Sequence, residues 1–197
     1  MPGWQDFVTR HQRAQDFVFL SIAMDAQGPQ AARPWHQRAG ATFPTVVDQG
    51  GSLAQRWGFK AIPNAWVIDE TGVLRYQKLG GFHIGRREDQ EAVLAALALG
   101  PATSVPAVDA GQTGASRFEE GVRLLHQGQT AAALELWFQV LEEDAENWII
   151  RKQVWQALYP DRFEPVVDYA WQREQRARED TLGIRPANPI PAQLGPR

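Results

Sequence analysis

The sequence holds no cysteine. That absence excludes disulfide frameworks, thiolate zinc sites, iron–sulfur clusters and any cysteine nucleophile drawn from these residues. Long apolar runs are also lacking. The longest, Ala92 to Leu99, falls well short of the roughly 20 residues a spanning helix needs. The opening MPGWQDFVTRHQ has no apolar signal core, so the chain reads as soluble, with the cytoplasm as its default compartment. Neither charge is in large excess: 20 basic residues face 23 acidic ones, for a net charge of -3. No broad attraction for nucleic acid or anionic membrane follows, and neither is expected as a partner. The four histidines, His11, His36, His83 and His126, lack the HxxxH or HxH spacing that fixes a metal, so no metal and no cofactor is expected. What the chain does have is a 44% apolar content, enough for a packed core, and eight Trp among 197 residues. Each buried indole N–H will need a hydrogen-bond partner.

Composition divides the chain. Residues 1–100 mix strand-like and helix-like runs and carry 10 basic and 9 acidic side chains. Residues 101–116, PATSVPAVDAGQTGAS, hold too little apolar surface to offset backbone ordering and read as a linker. Residues 117–180 are helix-like throughout, with 8 basic and 13 acidic side chains. The tail, 181–197, has four Pro in 17 residues and reads as an extended arm.

Within the first region, the pattern predicts a helix opening near Pro2 and a buried parallel strand over Phe17 to Ala23. A helix follows over Pro29 to Arg38, kinked or delayed by Pro34. Next come an extended piece over Phe43 to Val47 and a short helix over Ser52 to Trp57, with Ser52 as N-cap and Gly58 as its stop. Ala65 to Ile68 and Val73 to Lys78 form strands joined by the tight turn Asp69-Glu70-Thr71-Gly72. Arg86 to Leu99 closes the region as a helix.

FVFLSIAMD, followed by FPTVVDQGGSLAQRWGFKAIPNAWVIDETGVLRYQKLGG, resembles the thioredoxin fold in its redoxin form. That group holds the TlpA/ResA-type thiol-disulfide oxidoreductases and the AhpC/TSA-like peroxiredoxins. The likeness runs over about residues 2 to 99 and rests on Phe43-Pro44, Val46 to Asp48, the helix ending in WGF, Ile62-Pro63-Asn64 and the WVIDETGVL hairpin. It implies an α/β, thioredoxin-like domain and a thiol-dependent oxidoreductase or antioxidant activity. It also implies a cis peptide bond at Pro63, whose loop exposes backbone that an extended peptide or a partner's disulfide loop can pair with. Ile62, Pro63 and Asn64 are therefore the substrate-binding candidates. The IPN triplet before a VID hairpin sits nearer the TlpA-like group, and a peroxiredoxin would place an Arg close to this turn; both remain open.

The departure from the family is large. There, a central strand and a cysteine-bearing turn precede the helix that begins here near Pro2. That strand lies between the ones matching Phe17 to Ala23 and Ala65 to Ile68. The resemblance thus implies an incomplete fold in which two apolar strands keep unpaired edges, open to strand donation or to association of two copies. Met1 is expected to be an internal start, and the chain a cysteine-less truncation of a redox enzyme, inactive by itself. The alternative is a non-catalytic adaptor that holds a protein or peptide, including a redox partner, with the Pro63 loop and a helical groove.

From Gly114 to Asn147 the chain resembles one tetratricopeptide repeat, with Gly121, Leu124, Gly128, Ala133, Trp137, Val140 and Leu141 at the pattern positions. Small Gly121 and Ala133 let two antiparallel helices approach closely, and Gly128 ends the first. Asn147 can cap a helix over Trp148 to Leu158, which Pro160 stops, and a last helix runs over Val166 to Asp180. The fold class expected is α/β, thioredoxin-like, with a C-terminal all-α tetratricopeptide-like module. Trp137, Trp148 and Trp155 are expected as core filling. Trp171, beside the charged WQREQRARED end, is the one expected to be exposed and to offer a partner contact.

Other constellations read more plainly. Gly80 to Gly85 lacks the Lys-Ser/Thr of a phosphate loop and reads as a turn bordering the candidate site. Asp25, Asp48 and Asp69 each end an extended run and read as turn or cap residues. Pro186 to Pro189 makes a PxxP in a solvated tail.

Overall fold

The structure, a computed structural model, describes residues 2–99 and 113–186. The greater part of the expected linker, 101–112, and the tail from 187 onward lie outside the described residues. Two compact units emerge. The first runs α1 (Pro2–Gln15), β1 (Ser21–Ala23), α2 (Pro29–Arg38), β2 (Thr45–Val47), α3 (Ser52–Trp57), β3 (Ala65–Ile68), β4 (Leu74–Lys78) and α4 (Arg87–Leu97). The second runs α5 (Thr113–His126), α6 (Thr130–Glu143), α7 (Trp148–Leu158), a 3-10 turn at Pro160–Arg162 and α8 (Tyr169–Leu182).

The first unit holds two separate two-stranded sheets. β1 pairs in parallel with β2, Ser21 opposite Thr45 and Ala23 opposite Val47. β3 pairs antiparallel with β4, Ala65 opposite Lys78 and Val67 opposite Tyr76, with an irregularity after Val67. Among the described residues no strand pairing joins the two sheets. In a parallel ladder alternate residues bond to opposite sides. Ser21 and Ala23 face β2, as the bonds from Ser21 N–H to the Pro44 carbonyl and from Asp48 N–H to the Ala23 carbonyl show. Ile22 therefore turns its backbone to the open edge of β1. On β3, Asp69 N–H donates to the Val73 carbonyl, which places Ala65 and Val67 toward β4 and the backbone of Trp66 at the open edge.

Helix α1 serves both sheets. Trp4 packs 4.4 Å from the Phe19 ring and stacks on Phe82 at 5.5 Å, and Phe7 lies 6.0 Å from Phe17. Phe7 and Phe82 join Ala65, Ile84 and Val93 in one buried cluster. Each buried Phe contributes about 1.5–3 kcal/mol.

Several expected bounds shift for local reasons. The strand expected from Phe17 shortens to Ser21–Ala23, because Pro44 has no N–H to donate to the carbonyl of Phe19 and the ladder ends there. Helix α2 runs unbroken through Pro34; residue 30, whose carbonyl loses its partner, is solvent-exposed. Val73 leaves β4 because it closes the turn with Asp69, and Arg86 is the N-cap of α4 with extended backbone.

In the second unit α5 already begins at Thr113, inside the stretch read as linker. Helix α7 spans the expected residues, and the Asn147 side chain accepts from Ile150 N–H. Helix α8 starts three residues later than expected, where the Asp168 carboxylate accepts from Trp171 N–H, and it extends to Leu182, so the arm expected from Thr181 begins only beyond the helix. No helix among the described residues is long and apolar enough to cross a membrane.

Aromatic packing fills the second unit. Trp137 and Trp155 are completely buried, and their indoles donate to the Phe118 carbonyl and to Glu179 Oε1. Arg151, 1% exposed, reaches Glu179 Oε2 at 3.3 Å and donates twice to the Ala145 carbonyl, at 3.0 and 2.7 Å. Trp171 is half-buried rather than exposed: its ring meets Trp155 at 5.6 Å, Tyr159 at 5.1 Å and Phe163 at 6.5 Å, under the Arg162 guanidinium. The apolar start of α8 draws it onto α7 despite the charged residues that follow.

Candidate functional site

The chain enters β3 through Ala61, Ile62, Pro63 and Asn64. The Ile62–Pro63 peptide bond is cis, Pro63 is exposed and Ile62 is 41% exposed. Asn64 fixes this loop from beneath. Its Nδ2 donates to the Ala61 carbonyl at 2.9 Å, and its Oδ1 accepts from Gly80 N–H at 2.5 Å. The Pro63 carbonyl accepts from Phe82 N–H at 3.3 Å. The sequence candidates Ile62, Pro63 and Asn64 thus form one anchored turn at the head of β3's open edge.

Opposite stands the loop Gly80 to Gly85, and it too is tied down. Gly80 and Gly81 have φ of 73° and 64°, the left-handed region that glycine enters without a steric cost. The Arg86 guanidinium donates to the Gly81 carbonyl. Asp89, 2% exposed, accepts from His83 N–H at 2.8 Å through Oδ2 and from Lys78 Nζ at 2.5 Å through Oδ1. The bond from Lys78, and after it the His83 N–H, hold the Asp89 carboxyl below its ordinary range, and the same bond raises the Lys78 ammonium. Burial, with Asp89 nearby, pushes the Tyr76 phenol up.

Asp89 and Lys78 escape sequence reasoning. The available signal is an acidic residue in the first turn of α4, just after a glycine-rich loop whose free N–H groups need acceptors. The remaining aspartates do turn and cap work. Asp25 accepts from Gln27 N–H, Asp48 from Leu53 N–H, and Asp69 from Thr71 N–H, the Thr71 hydroxyl and Val73 N–H. Trp171 lies in the second unit.

Chemically, the turn offers a rigid, partly apolar ledge and unpaired strand backbone, with no nucleophile on it. Residues 2–95 match the Redoxin family model. Over that stretch the chain is similar to the redoxin family. The match gives this unit a thioredoxin-like fold, in which Ile62–Pro63 enters the β3–β4 hairpin. Searches of curated proteins and of solved structures return no significant match. The redoxin-like unit combines that fold with a sequence free of cysteine.

Proposed function

We propose that the redoxin domain serves a thiol-disulfide or peroxide redox system by holding an extended protein segment at the Ile62-Pro63-Asn64 turn, while the reacting thiolate comes from outside these residues. Thiol-disulfide exchange needs a thiolate to attack one sulfur and displace the other. The only sulfur in this chain belongs to two methionines, whose thioethers cannot take that role. The observation that carries the reading is the exposed Ile62–Pro63 turn, braced by both ends of the Asn64 amide and continuous with the open edge of β3. A segment laid there gains backbone hydrogen bonds from the strand and apolar contact from Ile62. A second copy of the chain could occupy the same open edges. The helical unit, read as a tetratricopeptide-like pair in which Gly121 packs on Trp137, supplies a further surface for protein contact.

The absence of cysteine also favours a second reading, an adaptor that binds with no redox step at all. A titration of isotope-labelled protein with a cystine-containing extended peptide tests both. Shifts are expected at residues 61–68 and 80–82 and should vanish in Ile62→Asp. Preference for the oxidised over the reduced peptide supports the redox reading, and indifference supports the adaptor. Shifts confined to other residues would overturn both. Insulin-disulfide reduction by the chain alone should stay at background.

A further inference from the structure

Glu135 and Glu142 stand two turns apart on α6, with Phe138 between them. Beyond α8, which Gly183 ends with a φ of 90°, the chain runs back over this stripe and sets Arg185 on it. Arg185 Nε donates to Glu142 Oε1 at 2.6 Å and Nη1 to Glu135 Oε2 at 2.5 Å. Nη2 reaches Glu135 Oε1 at 3.0 Å and Glu142 Oε2 at 3.4 Å. The guanidinium carbon lies 5.3 Å from the centre of the Phe138 ring.

Such a site is built for an arginine. Two carboxylates take all three guanidinium nitrogens in fork geometry and an aromatic ring supplies the floor, which a lysine ammonium cannot match. Arg185 holds the Glu135 carboxyl below its ordinary range. Both glutamates remain half open to solvent, at 51% and 47% exposure. The arm that fills the site is a short non-helical segment, Ile184-Arg185-Pro186, which a competing chain can imitate.

We propose that the Glu135–Phe138–Glu142 face of α6 is a recognition site for an arginine in an extended segment of a protein partner, and that the chain's own Arg185 arm occupies it as a displaceable strap. The site belongs to the helical unit and is independent of the Pro63 loop. Its test uses the full chain and a synthetic peptide of residues 181–187 as the probe. The tethered arm competes at an effective concentration on the order of millimolar, so Arg185→Ala should bind the peptide about tenfold more tightly than the native chain, or better. Replacing the peptide's arginine by lysine should weaken that binding by about tenfold, and adding Glu135→Gln and Glu142→Gln to the Arg185→Ala chain should abolish it. If Arg185→Ala loses helical signal, Arg185→Lys, which keeps the charge but loses the fork, takes its place in the comparison. Binding no tighter than to the native chain, or binding that survives both glutamine substitutions, would reduce the contact to an intramolecular clasp and overturn the proposal.

Discussion

Gly121 on α5 lies so close to the indole of Trp137 on α6 that a Cβ at position 121 would overlap ring atoms Nε1, Cδ1 and Cε2. The same indole donates to the Phe118 carbonyl at 3.2 Å, one turn earlier on α5. The ring thus fills the space of a side chain that the opposing helix does not have.

Gly121→Ala should therefore destabilise the helical unit by about 1–3 kcal/mol, the usual cost of overpacking a tight core, despite alanine's better helix propensity. Trp137→Phe relieves the overlap but loses the indole bond and leaves a void. The double variant should be less destabilised than the sum of the singles. Chemical denaturation of the four proteins measures this, and strict additivity would show that the two positions do not share space.

Glu179 is a buried junction of a different kind. It accepts from Arg151, from the Trp155 indole and from Gln175 inside the helical unit. Removing it leaves the charge of a buried guanidinium uncompensated and a buried indole N–H unpaired, so Glu179→Ala should cost about 3–5 kcal/mol. Arg151→Met combined with Glu179→Leu should recover much of the loss, because an apolar pair of similar volume needs no compensating charge. Equal midpoints for the single and double variants in urea would contradict this.

Asp89 and Lys78 give the first unit a pH signature. The folded pKa of Asp89 is depressed, so its stabilisation is complete above the unfolded value of about 3.9 and fades as pH falls through the lower folded value. Lys78 is raised, so its share persists below about 10.4 and fades as pH rises through its folded value. Asp89→Asn should lower the unfolding midpoint near neutrality, and the gap to the native chain should narrow as pH falls below the unfolded carboxyl value of about 3.9. A gap unchanged by acid would mean that the carboxylate charge contributes nothing.

Local chemistry was legible in the sequence wherever it was self-contained. Helices α2, α3 and α7 and strand β3 occupy the expected residues, because proline, glycine and Asn147 mark their ends directly. Ile62-Pro63-Asn64 was legible as a motif, and the structure adds what Asn64 does there, since its partner Gly80 lies 16 residues away. Asp89 was illegible for the same reason: its value as an anchor depends on His83 and Lys78 arriving from a loop and a strand. Trp171 misled because α8 alternates between a charged surface and an aromatic seat, and only the packing of α7 shows which side the ring takes. Arg185 stood in a segment read as solvated tail, and nothing in its neighbours announces two acceptors 50 and 43 residues upstream.

The two separate sheets also set two clocks within one domain. The β3–β4 hairpin can zip outward from its own Asp69 turn, since every pairing it makes is between near neighbours in the chain. The β1–β2 pair must bring residue 21 to residue 45 around an entire helix and then holds only three positions on each side. Its amides should accordingly trade their protons with solvent well before those of the hairpin, through partial openings that leave the hairpin closed. The half-sheet beside the Phe19–Phe43 ring pair should thus open first, and the turn at Pro63 stands on the half that should open last.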